Sequence, residues 1–317
     1  MIFSGIDVGT NTVLLLIAEV DHHGVITALE QQQRIPRLGK DVDARNEISI
    51  PAFDRIAWIL NEYRAISQQL NATRILACAT SAVRDASNKH EFLGYLRKVT
   101  GIDVEVLTGE GEALLTYEGA LSGLDRTSHE YAVLDVGGGS TELTYPAPHA
   151  RSGPSPLNRY SFQIGSVRIS ERFFKHDPPL EEEIDGAREF IRGELARVQH
   201  PDLQGFRLVG VAGTATTLAC LDQGLSEFDL TKVSGYEIPS DRLATWLLKL
   251  QSMPSDELRR LSRATEGRED ILTAGVLVMN EVVRLFGFRK LLVSERGLRY
   301  GLIAREWQRS RSNEGRG

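Results

Sequence analysis

Val133-Leu134-Asp135-Val136-Gly137-Gly138-Gly139-Ser140-Thr141-Glu142-Leu143 reads as a buried apolar strand, a glycine-rich turn, and a second strand that opens at Thr141. Three consecutive glycines let the backbone approach a ligand closely and point its N–H groups into one concavity, of the kind that takes phosphate oxygens. Asp135 ends the first strand and Glu142 follows the turn, so two carboxylates flank that concavity. They would repel a phosphate unless a hard cation such as Mg²⁺ lay between them. The plainer alternative is a tight hairpin with Asp135 as its cap, since glycine-rich turns are common.

The stretch has a partner near the N-terminus, Ile6-Asp7-Val8-Gly9-Thr10-Asn11-Thr12-Val13-Leu14-Leu15. Aligned on the aspartates, Ile6-Asp7-Val8-Gly9 matches Leu134-Asp135-Val136-Gly137, and Thr12 falls opposite Ser140. Each copy follows a short apolar strand and ends in a hydroxyl residue that opens another. A repeat this far apart predicts a duplicated domain with a cleft between the copies. A third strand–glycine–hydroxyl turn, Val211-Ala212-Gly213-Thr214, opens a helix, and such helix starts are ready anion or nucleotide sites.

The chain has 317 residues, a formal net charge of −6, 25% charged residues and two cysteines. That length predicts about two domains. The negative balance argues against a nucleic-acid partner held through a basic surface, while leaving room for a local cluster that binds a polyanion. No apolar run is long enough to span a bilayer. Met1-Ile2-Phe3-Ser4-Gly5 enters a strand directly, without a signal-peptide pattern, so the expected location is cytoplasmic. Cys78 and Cys220 lie in apolar patterns and are expected to be buried thiols in a reducing compartment. His22 and His23 sit in a polar turn, where exposure is expected.

Residues 2–8, 12–20 and 25–33 read as strands. Arg34-Ile35-Pro36-Arg37-Leu38-Gly39-Lys40 reads as a basic loop, either ligand-facing or merely solvated. A helix opens at Ser49 and Pro51 and runs to about Leu70, with Phe53, Ile56, Ala57, Leu60 and Tyr63 on one face. A buried strand, Ile75 to Ala79, ends in the polar segment Thr80 to Asn88, where Arg84 could hold a phosphate or simply pair with Asp85. A helix near 89–100 and a strand from Val104 to Leu107 follow. Thr108-Gly109-Glu110-Gly111-Glu112-Ala113 then leads into a helix to Leu121. Glu110 and Glu112 there are either dipole caps or carboxylates aimed at a ligand. The second copy carries the strand that ends at Asp135, strands near 141–145, 159–164 and 290–293, a strand from Leu208 into the Gly213 turn, helices near 181–198, 241–251 and 269–286, and a Pro/Ser/Gly-rich hairpin loop at Pro146 to Pro156 that is expected to be mobile. The boundaries so read are 1–121 for the first domain, 122–296 for the second, and 297–317 for a helix returning to the first.

Taken together these are two ribonuclease-H-like α/β units in series. The motifs Asp7-x-Gly9-Thr10-Asn11-Thr12, Ala79-Thr80-Ser81-Ala82-x-Arg84, Gly109-x-x-Glu112-Ala113, Asp135-x-Gly-Gly-Gly-Ser140-Thr141-Glu142-Leu143 and Gly213-Thr214 stand in an order that resembles the exopolyphosphatase/guanosine pentaphosphate phosphohydrolase (Ppx/GppA) family, over almost the whole chain. That family belongs to the acetate kinase, sugar kinase, heat-shock ATPase and actin superfamily. The resemblance implies that Glu112 is the catalytic general base. It implies that Asp135 and Glu142, with Asp7, serve a Mg²⁺ site. Thr10, Asn11 and Thr12, with Gly137, Gly138, Gly139, Ser140 and Thr141, match the two phosphate loops. Arg84 matches a phosphate-contacting arginine, and Gly213 with Thr214 a secondary phosphate or nucleotide loop. Three positions depart from the family pattern. Leu14 stands where many members have Arg, Gly111 where an acid is usual, and Tyr300 where the motif Gly-Leu-Arg-Glu-Gly has Glu. The chain reads as a short form without the C-terminal helical domain of longer members.

The chemistry so implied is Mg²⁺-dependent hydrolysis of a phosphoanhydride, with inorganic polyphosphate as substrate or, alternatively, the 5′-phosphate of guanosine pentaphosphate. Such hydrolysis asks the protein mainly for positioning, charge neutralisation and an oriented water. No Lys stands in a Gly-x-x-x-x-Gly-Lys setting, so this is not a P-loop enzyme. An ATP-dependent kinase of the same superfamily remains as a rival, as does a non-catalytic nucleotide switch, which would have no use for Glu112. Closure of the two domains on the chain end is expected, with hinges near Ser122-Gly123 and Glu295-Gly297 and with Arg84 and the glycines 137–139 on the same phosphates. The expected partners are the phosphate polymer or the pentaphosphate, with neither nucleic acid nor membrane, and with a homodimer as an admissible assembly.

Overall fold

A computed structural model describes residues 1–127, 129–147, 156–198, 203 and 205–314. The chain divides into two compact units, Met1–Leu124 with Arg296–Gly317, and Asp125–Glu295. Unit 1 contains β1 (Ile2–Val8), β2 (Val13–Val20), β3 (Ile26–Arg34), α1 (Val42–Arg45), α2 (Ile50–Gln69), β4 (Arg74–Ala79), α3 (Ser81–Asp85), α4 (Lys89–Thr100), β5 (Val104–Val106) and α5 (Gly109–Leu121). Unit 2 contains β6 (Tyr131–Val136), β7 (Thr141–Pro146), β8 (Leu157–Phe162), α6 (Ser166–Phe173), α7 (Glu181–Leu195), β9 (Arg207–Val211), α8 (Ala212–Asp222), α9 (Leu230–Val233), β10 (Glu237–Pro239), α10 (Ser240–Leu250), α11 (Ser255–Leu261), α12 (Leu272–Leu285) and β11 (Lys290–Val293). The last helix, α13 (Leu298–Glu314), belongs to unit 1.

The sheet order in unit 1 is β3-β2-β1-β4-β5, and in unit 2 it is β10-β11-β9-β6-β7-β8. Both have the ribonuclease-H-like arrangement: a central strand pairs antiparallel with the next strand and parallel with the fourth. β1 is central and covered on both faces, which is why its sequence is apolar on both. Ile6 and Val8 face the cluster built on α2, with Phe53, Ile56, Leu60 and Tyr63. Phe3, of opposite parity, faces Leu16, Tyr300 and Ile303. Tyr300, one of the departures from the family pattern, is thus a core side chain. The edge strand β3 instead carries Glu30, Gln31, Gln32, Gln33 and Arg34, polar residues that discourage further pairing.

α13 is held against α5 by two glycines. A Cβ on Gly119 would lie 2.0 Å from the carbonyl oxygen of Gly297, and one on Gly301 would lie 1.9 Å from that of Leu115. Any larger residue would force the two helices apart. Leu115 and Leu302 then pack with Cys78 under the sheet. Cys78 and Cys220 are both buried and free, and His22 and His23 are exposed.

The structure shifts several boundaries. The unit limits fall after Leu124 and before Arg296 because Ser122 to Leu124 stay with α5. The N–H and Oγ of Ser122 donate to Gly119 O at 3.1 and 2.8 Å, Leu124 N donates to Leu121 O, and Arg296 Nη1 reaches Ser122 Oγ at 3.3 Å. The helix α5 begins at Gly109, because the Thr108 hydroxyl accepts from Gly111 N at 3.1 Å and caps it there. The polar segment after β4 contains the short helix α3. Of the Pro146 to Pro156 loop, residues 148–155 lie outside the described residues.

Candidate active site

The two Asp-x-Gly turns share one geometry. Gly9 N donates to Thr12 O at 2.9 Å, and Gly137 N donates to Ser140 O at 3.0 Å. In the ladders Asp7 stands opposite Leu14, and Asp135 opposite Glu142. Leu14 is therefore the counterpart in unit 1 of Glu142 in unit 2, and the two copies differ where one carries an alkyl group and the other a carboxylate.

In unit 2 the carbonyls of the glycine turn are all turned toward the start of α6. Gly137 O accepts from Ser166 N at 2.8 Å, and Gly138 O from Val167 N and Arg168 N at 2.8 and 3.1 Å. Gly139 O accepts from Arg168 Nε at 2.8 Å. Gly165 makes this contact possible, since a Cβ there would lie 2.3 Å from Gly138 C and O. With the carbonyls so occupied, the N–H groups of Gly138, Gly139 and Ser140 donate to no described residue. Adjacent free N–H groups of this kind form an anion nest. Ser140 is buried beside it. Thr141 is a correction: it is fully buried and its hydroxyl donates to Ile164 O at 2.5 Å, so it braces the sheet instead of lining the turn.

Asp135 and Glu142 are directly opposed across an antiparallel pair, and Glu142 is buried with Oε1 accepting from Ser161 Oγ at 2.7 Å. Like charges opposed on one sheet face are destabilising, and a cation relieves that. Among the described residues no group of three or more His, Cys, Asp or Glu side chains could hold a metal ion. An opposed pair of carboxylates is a donor set that would accept Mg²⁺, which takes one or two carboxylates and completes its shell with water and phosphate oxygens. Asp7, at the equivalent position in unit 1, has Leu14 and Cys78 as its ladder neighbours.

The first turn is stitched to the basic loop. Thr10 O accepts from Gly39 N at 2.7 Å and Asn11 O from Arg37 N at 3.1 Å, with Arg37 in the left-handed region at φ 52°. Gly39 is required, because a Cβ would lie 2.2 Å from Thr10 Cγ2. The segment is thus anchored to the turn, with Thr10 and Asn11 buried and Thr12 half-buried.

Glu112 sits in the first turn of α5, and its role is not capping: Thr108 caps the helix, and Glu110 is the exposed acid there. Its side chain is only 9% exposed, and Oε2 accepts from Arg84 Nη1 at 2.8 Å. The same Nη1 donates to Leu107 O at 3.0 Å. Arg84 therefore chooses Glu112 over Asp85, whose Oδ1 is 4.0 Å from Nε. Arg84 Nη2 is buried without an acceptor among the described residues. Burial pushes the Glu112 carboxyl above the usual carboxylate range, the Arg84 charge and hydrogen bond pull it back, and Asp85 adds to the rise.

The third turn holds a residue that the sequence reading missed. A Cβ on Gly213 would lie 2.0 Å from Arg268 Nη1, so the guanidinium lies against the bare glycine. Arg268 is half-buried, and desolvation of its guanidinium brings its pKa down to about 10. Thr214 is buried against Gly275 of α12, and Ala212 adopts φ 64° to make the turn. In sequence, Arg268 lies among Glu266, Gly267, Glu269 and Asp270, and nothing in that run of charges singles it out. The one hint is Gly267, which takes φ 73°.

Two ribonuclease-H-like sheets, each ending its central strand in an Asp-x-Gly turn, define a duplicated ribonuclease-H-like α/β protein. Within that class the chain belongs to the Ppx/GppA phosphatase family, whose sequence profile matches residues 16–310, and it is a phosphoanhydride hydrolase. It is 32% identical to exopolyphosphatase 2 of Mycobacterium tuberculosis, over 94% of this chain and 96% of that protein. Its fold matches the Ppx/GppA family member of Aquifex aeolicus with a TM-score of 0.81 at 31% identity, over 98% of each chain. It matches an exopolyphosphatase from Cytophaga hutchinsonii with a TM-score of 0.85 at 26% identity, over 95% of this chain and 96% of that one. Among the described residues no helix is long and apolar enough to cross a membrane.

Proposed function

We propose that this protein is an exopolyphosphatase that hydrolyses the terminal phosphoanhydride of inorganic polyphosphate and releases orthophosphate. The observation that carries the reading is Glu112, a buried carboxylate at a helix start that caps nothing. A buried carboxyl with raised proton affinity is a better base for water than an exposed one. Glu112 takes a proton from the attacking water, a contribution of about 10²–10⁴-fold for a positioned base. The N–H groups of Gly138, Gly139 and Ser140 hold phosphate oxygens, and charge that develops on them meets donors already in place. Thr10, Asn11 and Thr12 form the corresponding turn of unit 1. Asp135 and Glu142 would hold Mg²⁺, which supplies charge neutralisation on the phosphoryl oxygens. Short glycine turns of this kind offer donors for only a few phosphates, which favours chain ends over chain interiors.

The names of the relatives support polyphosphate as substrate, and the terminal phosphate chemistry is shared with guanosine pentaphosphate. Orthophosphate release from polyphosphates of several lengths, beside guanosine pentaphosphate and ATP, with Mg²⁺ and with excess EDTA, tests the reading. Polyphosphate is expected to give the highest kcat/KM, with loss of activity in EDTA. A higher kcat/KM on the pentaphosphate or on ATP would overturn the substrate assignment, and full activity in EDTA would overturn the cation.

A further inference from the structure

Arg84 and Glu112 are held together by more than proximity. The Arg84 side chain is 17% exposed and that of Glu112 is 9% exposed, so water screens their attraction weakly. Arg84 comes from α3, at the C-terminal end of β4, and Glu112 from the first turn of α5. Leu107 O, in the link before α5, fixes the guanidinium through Nη1 at 3.0 Å while the same nitrogen donates to Glu112 at 2.8 Å. The backbone carbonyl therefore sets where the cation sits, and the cation sets where the carboxylate sits. Lys89 Nζ donates to Arg84 O at 2.9 Å and ties the end of α3 to the start of α4.

We propose that Arg84 is the positioning residue of the general base: it holds the Glu112 carboxylate ionised and fixed for proton transfer, and so sets the acidic limb of the pH–rate profile. The inference rests on the reading of Glu112 as that base. The other charged groups around the pair oppose Arg84 or act from farther off. Asp85, its neighbour on α3, favours the protonated form of Glu112. Asp7 on β1, Glu105 on β5 and Arg305 on α13 share with Glu112 the surroundings of the buried Cys78 thiol. Arg305 is paired with Glu105 at 2.5 Å, which largely cancels both. Arg84 is thus the cation in direct contact with Glu112. Without it, burial and Asp85 act unopposed, and the carboxyl takes up a proton at a higher pH. The base is active only when ionised, so loss of Arg84 moves the acidic limb upward.

The test is the pH dependence of kcat/KM for Arg84→Gln and Arg84→Lys, with the double variant Arg84→Gln/Glu112→Gln. An opposite charge within about 4–6 Å shifts a carboxyl by about 1–3 pH units, so the limb of Arg84→Gln is expected to rise by at least about one unit. Arg84→Lys keeps the charge and loses the fork, and its limb is expected between those of Arg84→Gln and wild type. The double variant is expected to be no slower than Glu112→Gln alone, because Arg84 acts through Glu112. An acidic limb that stays in place while KM rises about tenfold would overturn the proposal and make Arg84 a substrate contact only. If Arg84→Gln does not fold, Arg84→Lys decides, with an unmoved limb counting against the proposal. A second readout needs no turnover. The carboxyl of Glu112, assigned in ¹³C-glutamate spectra by difference from Glu112→Gln, is expected to titrate at least about one unit lower in wild type than in Arg84→Gln. Equal titration overturns the inference, whereas a wild-type protein that cleaves no phosphoanhydride overturns the functional reading instead.

Discussion

Gly165→Ala tests the glycine turn through a residue that never touches substrate. Gly165 has φ −91° and ψ 163°, a conformation open to alanine, so the substitution carries no backbone penalty. Its effect is steric. The added Cβ would lie 2.3 Å from Gly138 C and O and 2.4 Å from Gly139 N. Carbon contacts settle at about 3.5–4.0 Å, so the turn and the start of α6 must separate by roughly 1 Å. That movement stretches the hydrogen bonds from Ser166, Val167 and Arg168 to the turn carbonyls. Overpacking of this kind costs about 1–3 kcal/mol, which lowers Tm by about 2–4 °C per kcal/mol in a unit of this size. A misplacement of about 1 Å costs a reaction about 10²-fold. Orthophosphate release should therefore fall by one to two orders of magnitude while thermal unfolding stays cooperative. Activity within about threefold of wild type, with Tm unchanged, would refute the argument that α6 fixes the turn.

Two further outcomes follow from buried or bonded carboxylates. Glu142→Gln removes one of two opposed charges, so it should raise Tm in EDTA and abolish the rise in Tm that Mg²⁺ gives wild type; a Mg²⁺ response equal to that of wild type would sink the cation assignment. Glu183 feels some burial, yet hydrogen bonds from His176, Leu180 N and Lys175 N outweigh it and bring its carboxyl down to about 2. A depressed carboxyl stabilises the fold above its unfolded value of about 4.5, and that support is lost as pH falls through about 2. Glu183→Ala should then lower Tm at pH 7 and match wild type below about pH 2, and a deficit that persists unchanged at that pH would refute the linkage.

The fold was legible because its determinants are local and repeated. The apolar runs of β1 and β6, each ending in Asp-x-Gly, announce strand and turn together, and the same bond from glycine N–H to hydroxyl-residue carbonyl forms in both. Glu112 was legible as a residue, though its partner was not. A guanidinium twenty-eight positions away leaves no periodic trace, and Asp85, adjacent in sequence, was the obvious counter-ion. Arg268 was hidden for a different reason: its guanidinium lies against the bare backbone of Gly213, a contact that charge patterning cannot register. Thr141 was misplaced because a hydroxyl after a glycine turn can face either the turn or the sheet, and only the carbonyl of Ile164 decides it. The three-residue strand β10 and the seven-residue helix α11 are too short to carry a period.

The central claim, that Glu112 is the base of a phosphoanhydride hydrolysis, is tested most directly by Glu112→Gln under saturating polyphosphate and Mg²⁺. Turnover and polyphosphate affinity are measured on the same preparation, and cooperative unfolding is verified. Amidation keeps the size of the side chain and removes its ability to take a proton. The account expects kcat to fall by at least about a hundredfold with the dissociation constant for polyphosphate within about threefold of wild type. A kcat within a few-fold of wild type in a folded variant would contradict it.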